Sequence, residues 1–155
     1  TGQADLLLGY VMDQAIKLQD GVHKDVYPIR FADYGVNMVS SGIIVQKDYL
    51  KEHPDVVKRF LKAATRSLEE GAKNPEAAVD AMLKAKPKSG VKDTALVGMK
   101  ATAKLYKGSD NPKDRPLRVG AKNMQETLTL LEQYGGLDKA TAGKATAYYT
   151  NAYLP

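Results

Sequence analysis

An α/β chain is the fold class this sequence predicts, on three observations. Short apolar runs, Leu6-Leu7-Leu8, Val26 to Phe31 and Ile43-Ile44-Val45, crowd into the first 45 residues. Each is bounded by glycine, proline or polar breaks, the pattern of a short buried strand. From Gln46 onward the apolar residues recur at helical spacing instead. Within that stretch Pro54 and Pro75 each stand where a helix begins, because a fixed φ suits the first helical position and the missing N–H would be unpaired there anyway.

Taken in order, the first strand is expected around Leu6–Leu8 and is closed by Gly9. A helix follows over Val11 to Asp20, with Val11, Ala15, Ile16 and Leu18 inward and Gly21 as its stop. The second strand covers Val26 to Phe31, broken by Ala32-Asp33-Tyr34-Gly35, and the third lies within Val36 to Val45 after a polar crossing at Ser40-Ser41-Gly42. Further helices are expected over Lys47–Lys51, Pro54–Lys73, Pro75–Ala85, Lys92–Tyr106, Asn123–Tyr134 and Ala140–Tyr149. In the Pro54 helix, Val56, Val57, Phe60, Leu61, Ala64 and Leu68 form the apolar stripe, with His53 as its cap or the cap's neighbour. Asn74 is placed to cap the Pro75 helix, with Glu76 at its positive end. Residues 107 to 120 hold Gly108, Pro112 and Pro116 among many charges, and read as an exposed loop.

Composition bounds the chemistry. At 155 residues, 43% hydrophobic and 26% charged, the chain is an ordinary globular domain, and no run is long enough to cross a bilayer. Zero cysteines exclude disulfides, thiolate nucleophiles and cysteine-ligated metal sites. The two histidines, His23 and His53, have no second ligand at metal-site spacing. His23 reads as a solvent-facing loop residue. No cofactor is expected. The net charge of +5 is spread along every helix and balanced locally by Asp and Glu, with little aromatic interleaving. That is a solvated surface rather than a nucleic-acid footprint.

Several short motifs occur together: Gly2-x-x-Asp5 before the first apolar run, Asp33-Tyr34-Gly35-Val36, Ser41-Gly42-Ile43-Ile44-Val45, the helix start at His53-Pro54, the turn Asn74-Pro75-Glu76-Ala77-Ala78, and the ending Tyr148-Tyr149-Thr150-Asn151-Ala152-Tyr153-Leu154-Pro155. In this order and spacing the chain resembles the C-terminal part of ABC-transporter substrate-binding proteins of the nitrate, sulfonate, taurine and thiamine-precursor group. The resemblance implies part of a two-lobed α/β fold, the type II periplasmic binding protein fold. Residues 1–31 would then belong to the second lobe, 32–41 to a hinge crossing, and 42–155 to the C-terminal part of the first lobe. The remaining N-terminal part of the same protein is an implied partner, as are a small anionic or heterocyclic solute and an ABC permease in the membrane. The implied location is the periplasm, or a tether on the outer face of the cytoplasmic membrane.

Cleft contacts in such lobes come from strand ends and the turns after them. That selects Gly9 and Tyr10 after the first strand, and Tyr34, Asn37, Ser40 and Ser41 around the crossing. A tyrosine can stack on a solute or hydrogen-bond to it, an asparagine both donates and accepts, and serine hydroxyls can bind an oxyanion. Each also has a structural role open to it: a tyrosine at a strand end can be a capped core residue, and Ser40-Ser41 can serve only to let the chain bend.

Two other functions compete. Fungal thiamine-pyrimidine synthases resemble the same family and are enzymes, but they carry a cysteine-rich segment where this chain has Gly35-Val36-Asn37-Met38-Val39-Ser40. A helical protein-interaction module would account for residues 46–155 alone. The expectation is a solute receptor that makes and breaks no bond.

Overall fold

The computed structural model describes residues 4–22, 24–106, 111, 113–139 and 143–155. Among these the helices in chain order are α1 (Gln14–Val22), α2 (Lys47–Glu52), α3 (Pro54–Lys73), α4 (Pro75–Ala85), α5 (Lys92–Ala103) and α6 (Ala121–Tyr134). Short 3-10 turns stand at Phe31–Tyr34 and Ala145–Ala147. The expectations for Gly2, His23, Gly108, Pro112 and the helix start at Ala140 lie outside the described residues.

The α/β expectation is overturned. No strand is present among the described residues, so the chain is helical with irregular connections, and the sheet of a type II periplasmic binding protein fold is not there. A strand needs a neighbour that supplies a hydrogen-bonded ladder, and none of the three apolar runs has one. Nor are they buried: Leu6 and Leu8 are 82% and 81% exposed and Ile44 is 96% exposed. Their apolarity is a local property, whereas pairing is supplied by other parts of the chain.

The helical expectations fare better because their signals are local. Asn74 caps α4 through Oδ1, which accepts from the Ala77 N–H at 3.1 Å, with Pro75 at the first position. His53 serves two helices: its N–H donates to Tyr49 O at 2.8 Å to close α2, and its carbonyl accepts from Val57 N at 3.2 Å to open α3. Its ring is tilted against that of Tyr49, with centroids 4.8 Å apart. The first helix starts at Gln14 rather than Val11 and runs through Gly21, α5 stops at Ala103, and α6 starts two residues earlier than expected. The expected last helix is only a 3-10 turn at Ala145–Ala147 among its described residues.

The chain divides into two compact units, one of residues 1–29 with 70–105 and one of residues 30–69 with 106–155. In the first, α5 packs on both α4 and α1, and Val79 of α4 is buried. Gly98 of α5 lies close under the turn that leads into α1. A Cβ there would stand 2.8 Å from the Met12 carbonyl oxygen.

In the second unit the buried side chains follow helical spacing on two helices. Val57, Leu61 and Thr65 of α3 recur every four residues, and Met124, Thr127 and Leu128 form the inner face of α6. Phe60, expected in the α3 stripe, is 58% exposed, while Thr65 is fully enclosed. The stripe is therefore rotated toward Thr65, whose hydroxyl has no hydrogen-bond partner among the described residues. A buried hydroxyl of this kind costs about 1–3 kcal/mol.

Side chains also hold the loop before α6. Arg115 grips Glu69 of α3 with Nε and Nη2 at 2.7 and 2.9 Å, and this pairing raises the guanidinium pKa. Asn151 receives the Val119 N–H on Oδ1 at 3.1 Å and returns a bond from Nδ2 to the Val119 carbonyl at 2.9 Å. One amide side chain thus does for Val119 what a neighbouring strand would do. Lys58 of α3 lies over the Tyr153 ring, 5.9 Å from its centroid.

The two glycines of α1 and α5 make opposite predictions. Gly98→Ala should destabilise the protein by about 1–3 kcal/mol, because a methyl is forced against backbone. Gly21→Ala, which meets nothing within 4 Å, should stabilise by about 0.5–1 kcal/mol through helix propensity. Urea unfolding of the two variants reads both signs.

Candidate functional site

Gly9 and Tyr10 form the lead-in to α1. The Tyr10 N–H donates to Gln14 Oε1 at 2.8 Å, and the Tyr10 carbonyl accepts from the N–H groups of Asp13 and Ala15 at 3.1 and 3.3 Å. The Gln14 side chain therefore folds back over the turn, and a Cβ on Gly9 would stand 2.8 Å from Gln14 Cβ. Glycine is needed at position 9 for that approach. The Tyr10 backbone is committed to starting a helix, and its side chain is left half exposed.

Tyr34, Asn37, Ser40 and Ser41 lie in the other compact unit, the one holding α6. The 3-10 turn ending at Tyr34 is closed by Gly35 in the left-handed region at φ 84°, a conformation that favours glycine. Across the turn, Arg30 donates through Nε and Nη2 to the two carboxylate oxygens of Asp33 at 2.9 and 2.8 Å. The Val36 N–H returns to Phe31 O at 3.0 Å. The chain is thus reversed within six residues, and Tyr34 is carried at the tip with 76% of its surface exposed.

Beyond the turn the chain is fastened to α6. Asn37 Nδ2 donates to Glu126 Oε2 at 3.2 Å, and the Val39 N–H donates to Thr127 Oγ1 at 2.8 Å. Thr127 is buried, and its own hydroxyl donates to the Asn123 carbonyl one turn earlier at 2.8 Å. That back-bond fixes the rotamer and aims a lone pair at Val39. Ser40 and Ser41 follow in exposed positions.

Glu126 and Thr127 were not singled out in the sequence. They sit on a helix whose apolar pattern signals only packing. A threonine at an inward position, beside a carboxylate, was the available clue. Chemically the region offers an exposed phenol at Tyr34, the Asn37 amide, two serine hydroxyls and a carboxylate. That set suits reversible recognition through hydrogen bonds and stacking. No group of three or more His, Cys, Asp or Glu side chains that could hold a metal occurs among the described residues.

Similarity to known proteins covers part of the chain. The riboflavin-binding protein RibY of Chloroflexus aurantiacus is 29% identical over 89 residues, covering 57% of this chain and 25% of that protein. The chain therefore spans about a quarter of the length of the curated relative it matches. The family model described as NMT1/THI5 like matches residues 1–78, which take in Gly9, Tyr10, Tyr34, Asn37, Ser40 and Ser41 but not α6. On a match over half of its length, the chain belongs to the NMT1/THI5 like family.

Proposed function

We propose that the chain is part of a solute-binding receptor of an ABC importer. It captures a small heterocyclic or anionic solute between two lobes, closes about a hinge and delivers the solute to a membrane permease. The observation that carries this reading is the family match over residues 1–78, which contains all six candidate contact residues. The riboflavin-binding relative supports it.

In the whole receptor, residues 1–31 are assigned to the second lobe, 32–41 to the hinge crossing and 42–155 to the C-terminal part of the first lobe. The compact units described above group residues by proximity within this chain, while the lobe assignment concerns the complete protein. Gly9, Tyr10, Tyr34, Asn37, Ser40 and Ser41 are the proposed solute contacts. A solute that touches both lobes only in the closed form shifts the population toward it. Binding of this kind needs no nucleophile, so the reading is that of a receptor and not an enzyme. The proposed location is periplasmic or on the outer face of the cytoplasmic membrane. No helix among the described residues is long and apolar enough to cross a membrane.

Thermal unfolding of the full-length protein, with riboflavin and a panel of small heterocycles, sulfonates and nitrate, tests the reading. A true ligand at 100 times its dissociation constant should add about 2.7 kcal/mol of stability. If no compound in the panel raises the melting point, the receptor reading loses its basis.

The exposed phenol separates recognition from packing. Tyr34→Ala should change unfolding stability by no more than about 0.5 kcal/mol, as surface substitutions do. It should weaken binding of the panel's best ligand by about two- to tenfold, on the order of the 0.5–1.5 kcal/mol of an aromatic contact. Equal affinity in the two proteins, measured by calorimetric titration, would remove Tyr34 from the site.

A further inference from the structure

The crossing segment meets α6 at a negative charge. Asn37 donates to Glu126 Oε2, and two residues later the Val39 N–H is held by Thr127, the next residue of the helix. These two bonds set the segment against α6 at a fixed register, so a solute that contacts Asn37 comes within a few ångströms of the Glu126 carboxylate. An ionised carboxylate only accepts hydrogen bonds. At that separation its field is felt well inside the screening length of about 8 Å at physiological salt.

The nearby cations do not reverse this sign. Lys122 Nζ stands 3.8 Å from Glu126 Oε1, but its side chain is 73% exposed, and solvated i,i+4 pairs of this kind are weak and loosely held. Arg30, on the same turn as Tyr34, is matched by a bidentate bond to Asp33. An oxyanion beside Asn37 would face an acceptor where it needs donors. A ring N–H or amino group would find one.

We propose that Glu126 is a specificity-determining residue of the solute site, selecting neutral or cationic solutes that present N–H donors and excluding anions such as nitrate and sulfonates. This rests on the receptor reading above and narrows it.

The test is calorimetric titration of the full-length protein with riboflavin, uracil and cytosine on one side and nitrate, methanesulfonate and benzoate on the other. The wild type should bind at least one heterocycle and none of the anions. Glu126→Gln keeps the side-chain size and an acceptor for Asn37 while removing the charge. It should weaken heterocycle binding about tenfold or more, the scale of a hydrogen bond to a charged group, and bring anion binding into the measurable range. Thr127→Val, which loosens the segment without changing charge, should not admit anions. An anion bound by the wild type, or unchanged affinities in Glu126→Gln, would overturn the assignment of Glu126 while leaving the receptor reading intact. Binding of neither class by the wild type would overturn both.

Discussion

The hydrogen bond from the Val39 N–H to Thr127 Oγ1 is the constraint on which the candidate site depends. Residues 36–41 have no ladder to hold them, yet buried or half-buried backbone groups must be paired. Thr127 supplies the partner, and the Asn123 carbonyl holds Thr127 in place. With Val39 fixed, Asn37 is brought to Glu126, and the turn carrying Tyr34 is set by the Arg30–Asp33 bond behind it. A hydroxyl on the inner face of a helix thereby holds the segment that carries Asn37, Ser40 and Ser41.

The same solution recurs elsewhere in this unit. Asn151 pairs both backbone groups of Val119, and Arg115 joins the same loop to α3 through Glu69. Long irregular connections are held by single polar side chains rather than by a sheet. Each such bond contributes only about 1 kcal/mol net, and leaving a buried group unpaired costs more. The apolar contribution is concentrated in a few positions, Val57 and Leu61 on α3, Met124 and Leu128 on α6, and Val79 on α4.

What could be read from the sequence follows from the range of each signal. The starts of α3 and α4 were legible because proline at the first position and the Asn74 cap act within four residues. The boundaries of α1 and α5 differ from expectation by two or three residues: α1 starts at Gln14 after the turn closed on the Tyr10 carbonyl and runs through Gly21, and α5 stops at Ala103. The three expected strands are absent among the described residues: Leu6–Leu8, Val26–Phe31 and Ile43–Val45 carry strand-like composition, but composition cannot supply a neighbour. In the candidate site, Tyr34, Asn37, Ser40 and Ser41 are candidates from the sequence by their place at the ends of expected strands, and no strand stands there among the described residues. Glu126 and Thr127 could not be named, because their partners lie 89 and 88 residues away in the chain. The family match likewise ends before α6.

Amide hydrogen exchange at Val39 in the full-length protein tests this account most directly. The account predicts a protected Val39 amide in the wild type, and loss of that protection in Thr127→Val while the amides of α6 remain slow. Rapid exchange at Val39 in the wild type, or protection that survives in Thr127→Val, would contradict the claim that this hydroxyl positions residues 36–41.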